Sequence, residues 1–276
     1  MEKEKLKILI ISQYFWPENF RINEIVKFFK SKEIQVEILT GKPNYPGGNI
    51  FDEYKNNKEK FSKFEGYKIH RLPMLSRGSG SNTRLLFNYL SFLISSIFVT
   101  PFIIKKKKFD YIFTFGTSPL TIAISSIILA KLYKSKTILW VLDLWPEIIF
   151  ELGILKNRYL EILLSKMIKF IFNNTDIILA QSKSYVSIIK DKINKDNVYY
   201  FPSWPESVND KEGEIDFELD NSKLNIFFTG SIGDAQNFRT IIDIVKYSRY
   251  LNIHWYIIGG GRRFKELIKL REKNNL

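Results

Sequence analysis

Short apolar runs alternate with segments of helical periodicity along this chain, and this alternation constrains the fold more than any other feature. The first run, residues 6–12 (LKILIIS), is followed by a loop and then by apolar residues at helical spacing from Ile22 to Phe29. Because the runs are almost continuously apolar, they predict parallel strands buried on both faces by helices. The predicted fold class is therefore α/β, with a doubly wound parallel sheet.

The predicted elements divide the chain into three parts. Residues 1–204 are predicted to form one Rossmann-like domain. Residues 205–222 have the acidic, Pro- and Gly-containing composition of a linker, and residues 223–276 are predicted to begin a second domain. In the first part, the predicted strands lie at 6–12, 35–40, 67–72, 110–115, 137–142, 176–180 and 198–201, and the predicted helices at about 22–29, 83–104, 119–133, 157–172 and 184–193.

The last part adds only strand, helix, strand and helix. A two-stranded parallel sheet leaves apolar surface uncovered and is not expected to be stable alone. We therefore expect either a truncated product or a missing segment that another chain supplies.

Composition excludes several classes of protein. The chain has no cysteine, which rules out disulfides, thiolate metal sites and cysteine nucleophiles. Its two histidines, His70 and His254, are far apart and do not indicate a zinc site.

The net charge of +13 predicts a nucleic acid or an anionic membrane as a partner. No helix-turn-helix, zinc or RNA-binding motif supports nucleic acid. The start of the chain lacks signal-peptide features, so we expect a cytoplasmic protein.

One uncharged segment bears on membrane binding. Residues 85–104, from Leu85 to Ile104, lie between Arg84 and the lysines at 105–108, Lys105 to Lys108. A spanning helix here would place neighbouring strands of one sheet on opposite sides of a bilayer. A span stays open as the least favoured interpretation. The two favoured ones are a buried crossover helix, or a helix lying in the interface with the lysines on anionic headgroups.

Two loops at predicted strand ends are candidates for acceptor binding, because doubly wound folds bind ligands there. The first, residues 12–21, has neither a dinucleotide fingerprint nor a phosphate-binding loop. Its Glu18 and Arg21 are candidates to shape an acceptor pocket, unless the loop merely turns the chain. The second, residues 41–48, offers Asn44 as a hydrogen-bonding amide and Tyr45 as a stacking surface for a sugar.

Two further loops complete this edge. Residues 115–119 open a helix whose backbone N–H groups are suited to an anion or to a plain cap. Residues 143–147 (DLWPE) place two carboxylates around an aromatic residue. Asp143 is a candidate to contact a sugar hydroxyl or assist the acceptor, and Glu147 to do the same or to cap the next helix, with Trp145 beside them.

Taken together, six motifs resemble the family-4 glycosyltransferases, particularly the colanic-acid and O-antigen type that includes N-acetylfucosaminyl transferases. They occur in order along nearly the whole chain and are QYFWPE (13–18), KPNYPGG (42–48), NYLSF (88–92), DLWPE (143–147), FPSW (201–204) and TGSIGDAQN (229–237). The resemblance implies a GT-B fold, in which two Rossmann-like domains enclose the active site.

The resemblance also implies a function. Such enzymes transfer a sugar with retention from a nucleotide-sugar, usually a UDP-sugar, to an acceptor that is often lipid-linked, and they need no metal or other cofactor. This implies peripheral association with the inner membrane. Carried onto this chain, the donor diphosphate and nucleotide would lie beside the residues that match the family's glycine turns, which are Gly230, Ser231, Gly233, Gln236, Gly259 and Gly260.

This chain departs from the family pattern at three places. Asp234 stands where many close relatives have Arg, and Leu142 where many wider members have a catalytic-loop His. The sequence ends at Leu276, before the family's Glu-x7-Glu region that holds the donor, so we expect impaired activity. The alternative is a non-catalytic fragment that binds a sugar or a lipid.

Overall fold

The computed structural model of the chain describes residues 5–78, 80–105, 108–151, 153, 156–204, 219–233, 236–261 and 263–276. Most of the acidic segment (205–218), Asp234 and the two central lysines, Lys106 and Lys107, lie outside these residues. The chain divides into two compact units, residues 1–205 and 206–276.

The first unit is built from strands that alternate with helices. Its strands are β1 (Lys7–Ser12), β2 (Gln35–Thr40), β3 (Lys63–Phe64), β4 (Tyr67–Arg71), β5 (Tyr111–Gly116), β6 (Lys136–Val141), β7 (Ile177–Ala180) and β8 (Val198–Tyr200). Its helices are α1 (Arg21–Ser31), α2 (Asp52–Asn56), α3 (Asn82–Phe98), α4 (Thr100–Ile103), α5 (Ile122–Tyr133), α6 (Glu147–Glu151), α7 (Arg158–Asn173) and α8 (Lys183–Lys192).

These strands form one sheet in the order β3-β4-β2-β1-β5-β6-β7-β8. Every pair is parallel except β3 with β4, which is antiparallel. The order starts at β1 and proceeds outward in both directions, as in a doubly wound fold. The predicted α/β class is therefore confirmed, and α2, β3 and α6 are short elements that the sequence patterns did not predict.

Side chains of the central strands alternate between two apolar layers. Ile8 and Ile10 of β1 pack with α1 on one face, whereas Leu9 and Ile11 pack with Phe92 of α3 and with α5 on the other. Helices α5, α7 and α8 cover the far half of the second face. On the first face, beyond α1, the sheet borders an apolar cavity of about 740 Å³ that Trp204 helps to line.

The segment predicted as one helix over 83–104 is two helices, separated at Val99. Pro101 explains the break, because proline has no N–H for the helical ladder and its ring clashes with the preceding turn. The expectation of a buried crossover helix is only half right. The inner face of α3 carries Asn88 and Ser96, both fully buried, while Phe87 and Phe98 are 57% and 66% exposed.

The inner face of α3 is therefore mixed, with Asn88 and Ser96 beside the buried Phe92, and its outer face is more apolar than that of an ordinary surface helix. Its buried amide is satisfied, because Asn88 Oδ1 accepts a hydrogen bond from Gln13 Nε2 at 2.7 Å and its Nδ2 donates to the Leu75 carbonyl. Among the described residues, no helix combines the length and the apolar character needed to span a bilayer.

The second unit contains β9 (Leu224–Thr229), α9 (Phe238–Tyr247), β10 (Ile253–Ile258) and α10 (Phe264–Lys273). The two strands pair in parallel, and Phe228 and Ile257 pack with Phe238, Ile242 and Leu267 from the helices. This is the β-α-β-α unit that the sequence predicts.

Glycine is needed where the loops after β2 and β4 meet. Gly48 has a φ of +84°, and a Cβ there would lie 2.0 Å from the Gly78 carbonyl oxygen. We expect Gly48→Ala to lower the free energy of unfolding by about 1–3 kcal/mol, since both backbone strain and a steric clash are introduced. Urea unfolding followed by circular dichroism measures this loss.

The neighbouring glycine provides a matched control. A Cβ at Gly47 meets no atom within 4 Å. Gly47→Ala should therefore leave the free energy of unfolding nearly unchanged. Equal losses for the two variants would contradict this account of the loop contact.

Candidate functional site

The loops that carry most of the predicted motifs lie at one edge of the sheet in the first unit. Strands β1, β2, β5 and β6 are parallel neighbours in register, and their carboxyl ends are Ser12, Thr40, Gly116 and Val141. The loop after β4 joins them, because β4 is parallel to β2. This edge is where open α/β sheets bind ligands, and we refer to it as the carboxyl edge.

Glu18 holds the first two of these loops together. Its side chain is buried, and its carboxylate accepts backbone hydrogen bonds from Asn44 at 2.8 Å, Tyr45 at 2.7 Å and Phe15 at 3.1 Å. Burial raises the pKa of Glu18, and the three backbone donors oppose that rise. Its oxygens are therefore engaged by the loop backbones. The prediction that Glu18 shapes an acceptor pocket stays a prediction.

Asn44 also has a structural role. It is fully buried, its Nδ2 donates to the Lys42 carbonyl at 2.7 Å, and its Oδ1 accepts from the Arg77 backbone N–H at 3.2 Å. The side-chain amide therefore links the loops after β2 and β4. The prediction that Asn44 hydrogen-bonds a sugar stays a prediction.

Tyr45 lies in an aromatic cluster at the same edge. Its ring centroid is 5.4 Å from that of Tyr14 and 5.2 Å from that of Phe20. Tyr45 is half-buried, so part of the ring remains accessible. Arg21 is the first residue of α1, and its Nη1 pairs with Glu24 Oε1 at 2.8 Å. The predicted acceptor contacts of Tyr45 and Arg21 stay predictions.

Arg77 belongs to this cluster, although no sequence motif contains it. Its guanidinium carbon lies 5.0 Å from the Tyr45 ring centroid and 5.7 Å from that of Tyr14. Its Nη1 donates a hydrogen bond of 2.7 Å to the Tyr14 hydroxyl. Position alone provides a signal for it, because Arg77 lies in the loop after β4, at the carboxyl edge.

The loops after β5 and β6 are joined by Ser118, which lies in the segment 115–119 singled out by the sequence. Asp143 Oδ2 accepts from the Ser118 backbone N–H at 3.1 Å and from its hydroxyl at 2.8 Å. Trp145 Nε1 donates to Ser118 Oγ at 2.9 Å. Asp143 and Trp145 are thus brought together, both half-buried, at the carboxyl edge.

Glu147 has a different environment. It begins α6, and its Oε1 pairs with Lys192 Nζ. Its other oxygen is buried and has no hydrogen-bond partner within the described part of the chain. Of the two carboxylates in the motif, Asp143 is fixed by the neighbouring loop, whereas Glu147 is held by a lysine of α8.

In the second unit, the predicted glycine turns pack against each other at the ends of β9 and β10. Gly230 N–H donates to the Ile258 carbonyl at 3.0 Å, and Ile232 N–H to that of Gly260 at 2.9 Å. A Cβ at Gly259 would lie 1.9 Å from the Gly230 carbonyl oxygen. The close backbone approach therefore requires glycine at this position.

Ser231 and Gln236 differ in their availability to a ligand. Ser231 is exposed beside the turn, whereas Gln236 Oε1 accepts from the Gly233 N–H at 3.1 Å. The side-chain carbonyl of Gln236 is thus used within the turn, and the glutamine shapes this loop. Among the described residues, no group of three or more acidic or histidine side chains gathers where a metal ion could bind.

Comparison with known proteins identifies the fold. No family model matches the chain. It is 24% identical, over 98% of its length and 70% of the relative, to a protein of Escherichia coli (strain K12) named as a colanic acid biosynthesis glycosyl transferase, WcaI.

Solved structures of glycosyltransferases share the fold of this chain. The apo form of the lipopolysaccharide outer core galactosyltransferase WaaB aligns with a TM-score of 0.53 at 13% identity, over 98% of this chain and 65% of that protein. A mutant of S. aureus TarM, in complex with fondaparinux, alpha-GlcNAc-glycerol and UDP, aligns with a TM-score of 0.57 at 9% identity, over 99% of this chain and 76% of that one. The chain has the Rossmann-like GT-B architecture, and its resemblance to GT-B glycosyltransferases is confirmed.

The Glu18 contacts generate a prediction about stability. In Glu18→Gln, one acceptor oxygen becomes an NH₂ group that faces backbone donors. We expect the free energy of unfolding to fall by about 1–3 kcal/mol, the usual cost of leaving buried polar groups unsatisfied. Urea unfolding of the purified variant measures the change.

Glu33→Gln makes the same chemical change on the surface, where Glu33 pairs with Lys5. Exposed pairs contribute little, so this control should stay within about 0.5 kcal/mol of the parent. A Glu18→Gln loss no larger than that of the control would mean that the carboxylate does not hold the loops.

Proposed function

We propose that this protein is a retaining glycosyltransferase that moves a sugar from a UDP-sugar to a lipid-linked or polysaccharide acceptor in bacterial cell-surface glycan synthesis of the O-antigen, capsule or colanic-acid kind. The main support is the match of 98% of the chain to a protein named as a colanic acid biosynthesis glycosyl transferase. The fold supports the same class, and a solved protein of that fold contains UDP.

Asp143 is the candidate that we place nearest the chemistry. Ser118 fixes its carboxylate through two hydrogen bonds, at an edge suited to ligand binding. A carboxylate held in this way is able to accept a hydrogen bond from a sugar hydroxyl and to orient an acceptor. Trp145, fastened to the same serine, offers an aromatic face for a sugar ring.

The donor would bind at the glycine turns of the second unit. Gly230, Gly259 and Gly260 lack side chains and let a diphosphate approach the backbone, and Ser231 adds an exposed hydroxyl. Backbone donors and basic side chains would stabilise the departing nucleoside diphosphate, so the proposal includes no metal.

The acceptor side would work at an anionic membrane surface. Phe87, Ile94 and Phe98 project from α3, and Phe102 follows on α4 with 74% of its surface exposed. Lys105 and Lys108 come next along the chain. An exposed apolar stripe beside lysines is typical of helices that lie in the interface of anionic bilayers.

Sugar transfer tests the enzyme proposal directly. We expect slow but measurable transfer of label by the chain from one member of a UDP-sugar panel to polyprenyl-linked acceptors in bacterial membranes, in line with the impaired activity expected from the sequence. Asp143→Asn should lower kcat by about 10²-fold or more, the usual contribution of a positioned acid or base. Product formation is followed by chromatography of the extracted lipids.

Asp196→Asn is the matched control, because Asp196 is an exposed carboxylate paired with Lys190, and it should leave the rate unchanged. Donor binding without transfer to any acceptor would contradict the enzyme proposal and favour a non-catalytic binding protein. Equal rates for Asp143→Asn and the parent would remove Asp143 from the site.

Vesicle flotation tests the membrane proposal. Phe87→Asp and Phe98→Asp should each weaken binding to phosphatidylglycerol vesicles by about tenfold or more, because each replaces an inserted apolar side chain by a charge. Phe28→Asp changes an equally exposed residue, 56% against 57% for Phe87, on α1. It should not affect flotation, and an equal loss there would contradict a specific role for α3.

A further inference from the structure

Arg77 is a cation that, among the described residues, has no ionic partner. It lies in the loop after β4, half-buried, with its guanidinium beside the rings of Tyr14 and Tyr45. Within the described part of the chain, its surroundings are phenolic, and no ion pair joins it to a carboxylate. The nearby carboxylate of Glu18 is committed to three backbone N–H groups.

The geometry holds this guanidinium in place. A guanidinium carries five N–H donors in a planar fork, and the hydrogen bond to the Tyr14 hydroxyl engages Nη1. The aromatic faces of Tyr14 and Tyr45 reduce its freedom and favour the positive charge. Removing a charge from water is costly without a counter-ion, so a cation held in this way is suited to binding an anion.

A second cation is attached to the same loop. Arg84, in the first turn of α3, donates from Nε to the carbonyl of Ser76 at 3.0 Å, and Ser76 immediately precedes Arg77. Arg84 is exposed, as are Leu86 and Phe87, which follow it on α3. The chain thus places cationic groups at one end of an apolar helix face. A ligand that matches both features has an anionic head and a hydrocarbon chain.

We infer that Arg77 binds the phosphate of a phosphorylated lipid acceptor, whose hydrocarbon chain follows the exposed face of α3. This inference rests on the proposed function, because it assigns the acceptor's phosphate a place at the carboxyl edge. Arginine suits the task, since its fork binds two phosphate oxygens at once. Arg77 is then a binding residue, and the aromatic pair keeps its fork oriented.

Geranyl diphosphate, a short and soluble phosphorylated lipid, is the probe. We expect isothermal titration calorimetry to give a Kd at least about tenfold lower for geranyl diphosphate than for geraniol, and at least about tenfold lower than for inorganic pyrophosphate. Arg77→Gln should remove most of the preference for geranyl diphosphate over geraniol. Arg77→Lys should retain part of it, because lysine keeps the charge and loses the fork.

Arg158→Gln is the matched control, because Arg158 is an exposed arginine at the start of α7, and it should keep the full preference. A purely structural role for Arg77 predicts weaker binding of geraniol and geranyl diphosphate alike, with the preference unchanged, and that result would overturn the inference. So would equal binding of pyrophosphate and geranyl diphosphate, which would indicate a site for free phosphate.

UDP binding by the same preparations separates this inference from the proposed function. Parent and Arg77→Gln should bind UDP equally. Normal UDP binding and sugar transfer, with no dependence of geranyl diphosphate binding on Arg77, would end this inference and leave the proposed function standing. A parallel loss of UDP binding in Arg77→Gln would assign the arginine to the donor diphosphate instead and overturn the acceptor site.

Discussion

A single buried carboxylate organises the carboxyl edge of the first unit. Loops that follow parallel strands contain backbone N–H groups that no strand satisfies, and burying them unpaired is costly. Glu18 accepts three such groups from two loops, and Asn44 then connects the second loop to the backbone of Arg77. The positions of Tyr45 and Arg77 therefore depend on this acid. Arg71 adds a further connection, because its Nη1 donates to the Gly41 carbonyl at 2.8 Å and it also binds the Trp16 carbonyl.

The same edge has a second fixed point on its other side. Ser118 holds Asp143 and Trp145 through its backbone and its hydroxyl. Rigid elements and short polar contacts of this kind keep side chains oriented before a ligand arrives. The two halves of the edge differ in chemistry: an aromatic and cationic surface lies after β1, β2 and β4, and a carboxylate lies after β6.

Strand positions could be read from the sequence because short runs rich in apolar and β-branched residues alternate with helical patterns. The predicted strands at 35–40 and 253–258 agree with β2 and β10 at both ends. The face of α3 that packs on the protein could not be read in the same way. The spacing of apolar residues shows that a helix has two different faces. It does not show which face packs on the protein when apolar residues also remain exposed to solvent. Only the partners of Asn88, which are Gln13 and Leu75, show that this amide lies on the inner face, beside the buried Phe92.

The loop contacts of the candidate residues could not be read from the sequence. Glu18 and Asn44 were chosen as polar residues in loops at strand ends, yet the same chemistry that binds a sugar also satisfies loop backbones, and the sequence does not distinguish these uses. Arg77 was missed because its significance comes from Tyr14 and Tyr45, which are distant in sequence.

We propose that the carboxyl edge is the acceptor surface. The most direct measurement is photo-crosslinking with a diazirine-bearing polyprenyl diphosphate, followed by peptide mapping. We expect labels in the loops 13–20, 41–51 and 72–78. Labels concentrated at the opposite edge of the sheet, at residues 32–35 and 134–136, would contradict it.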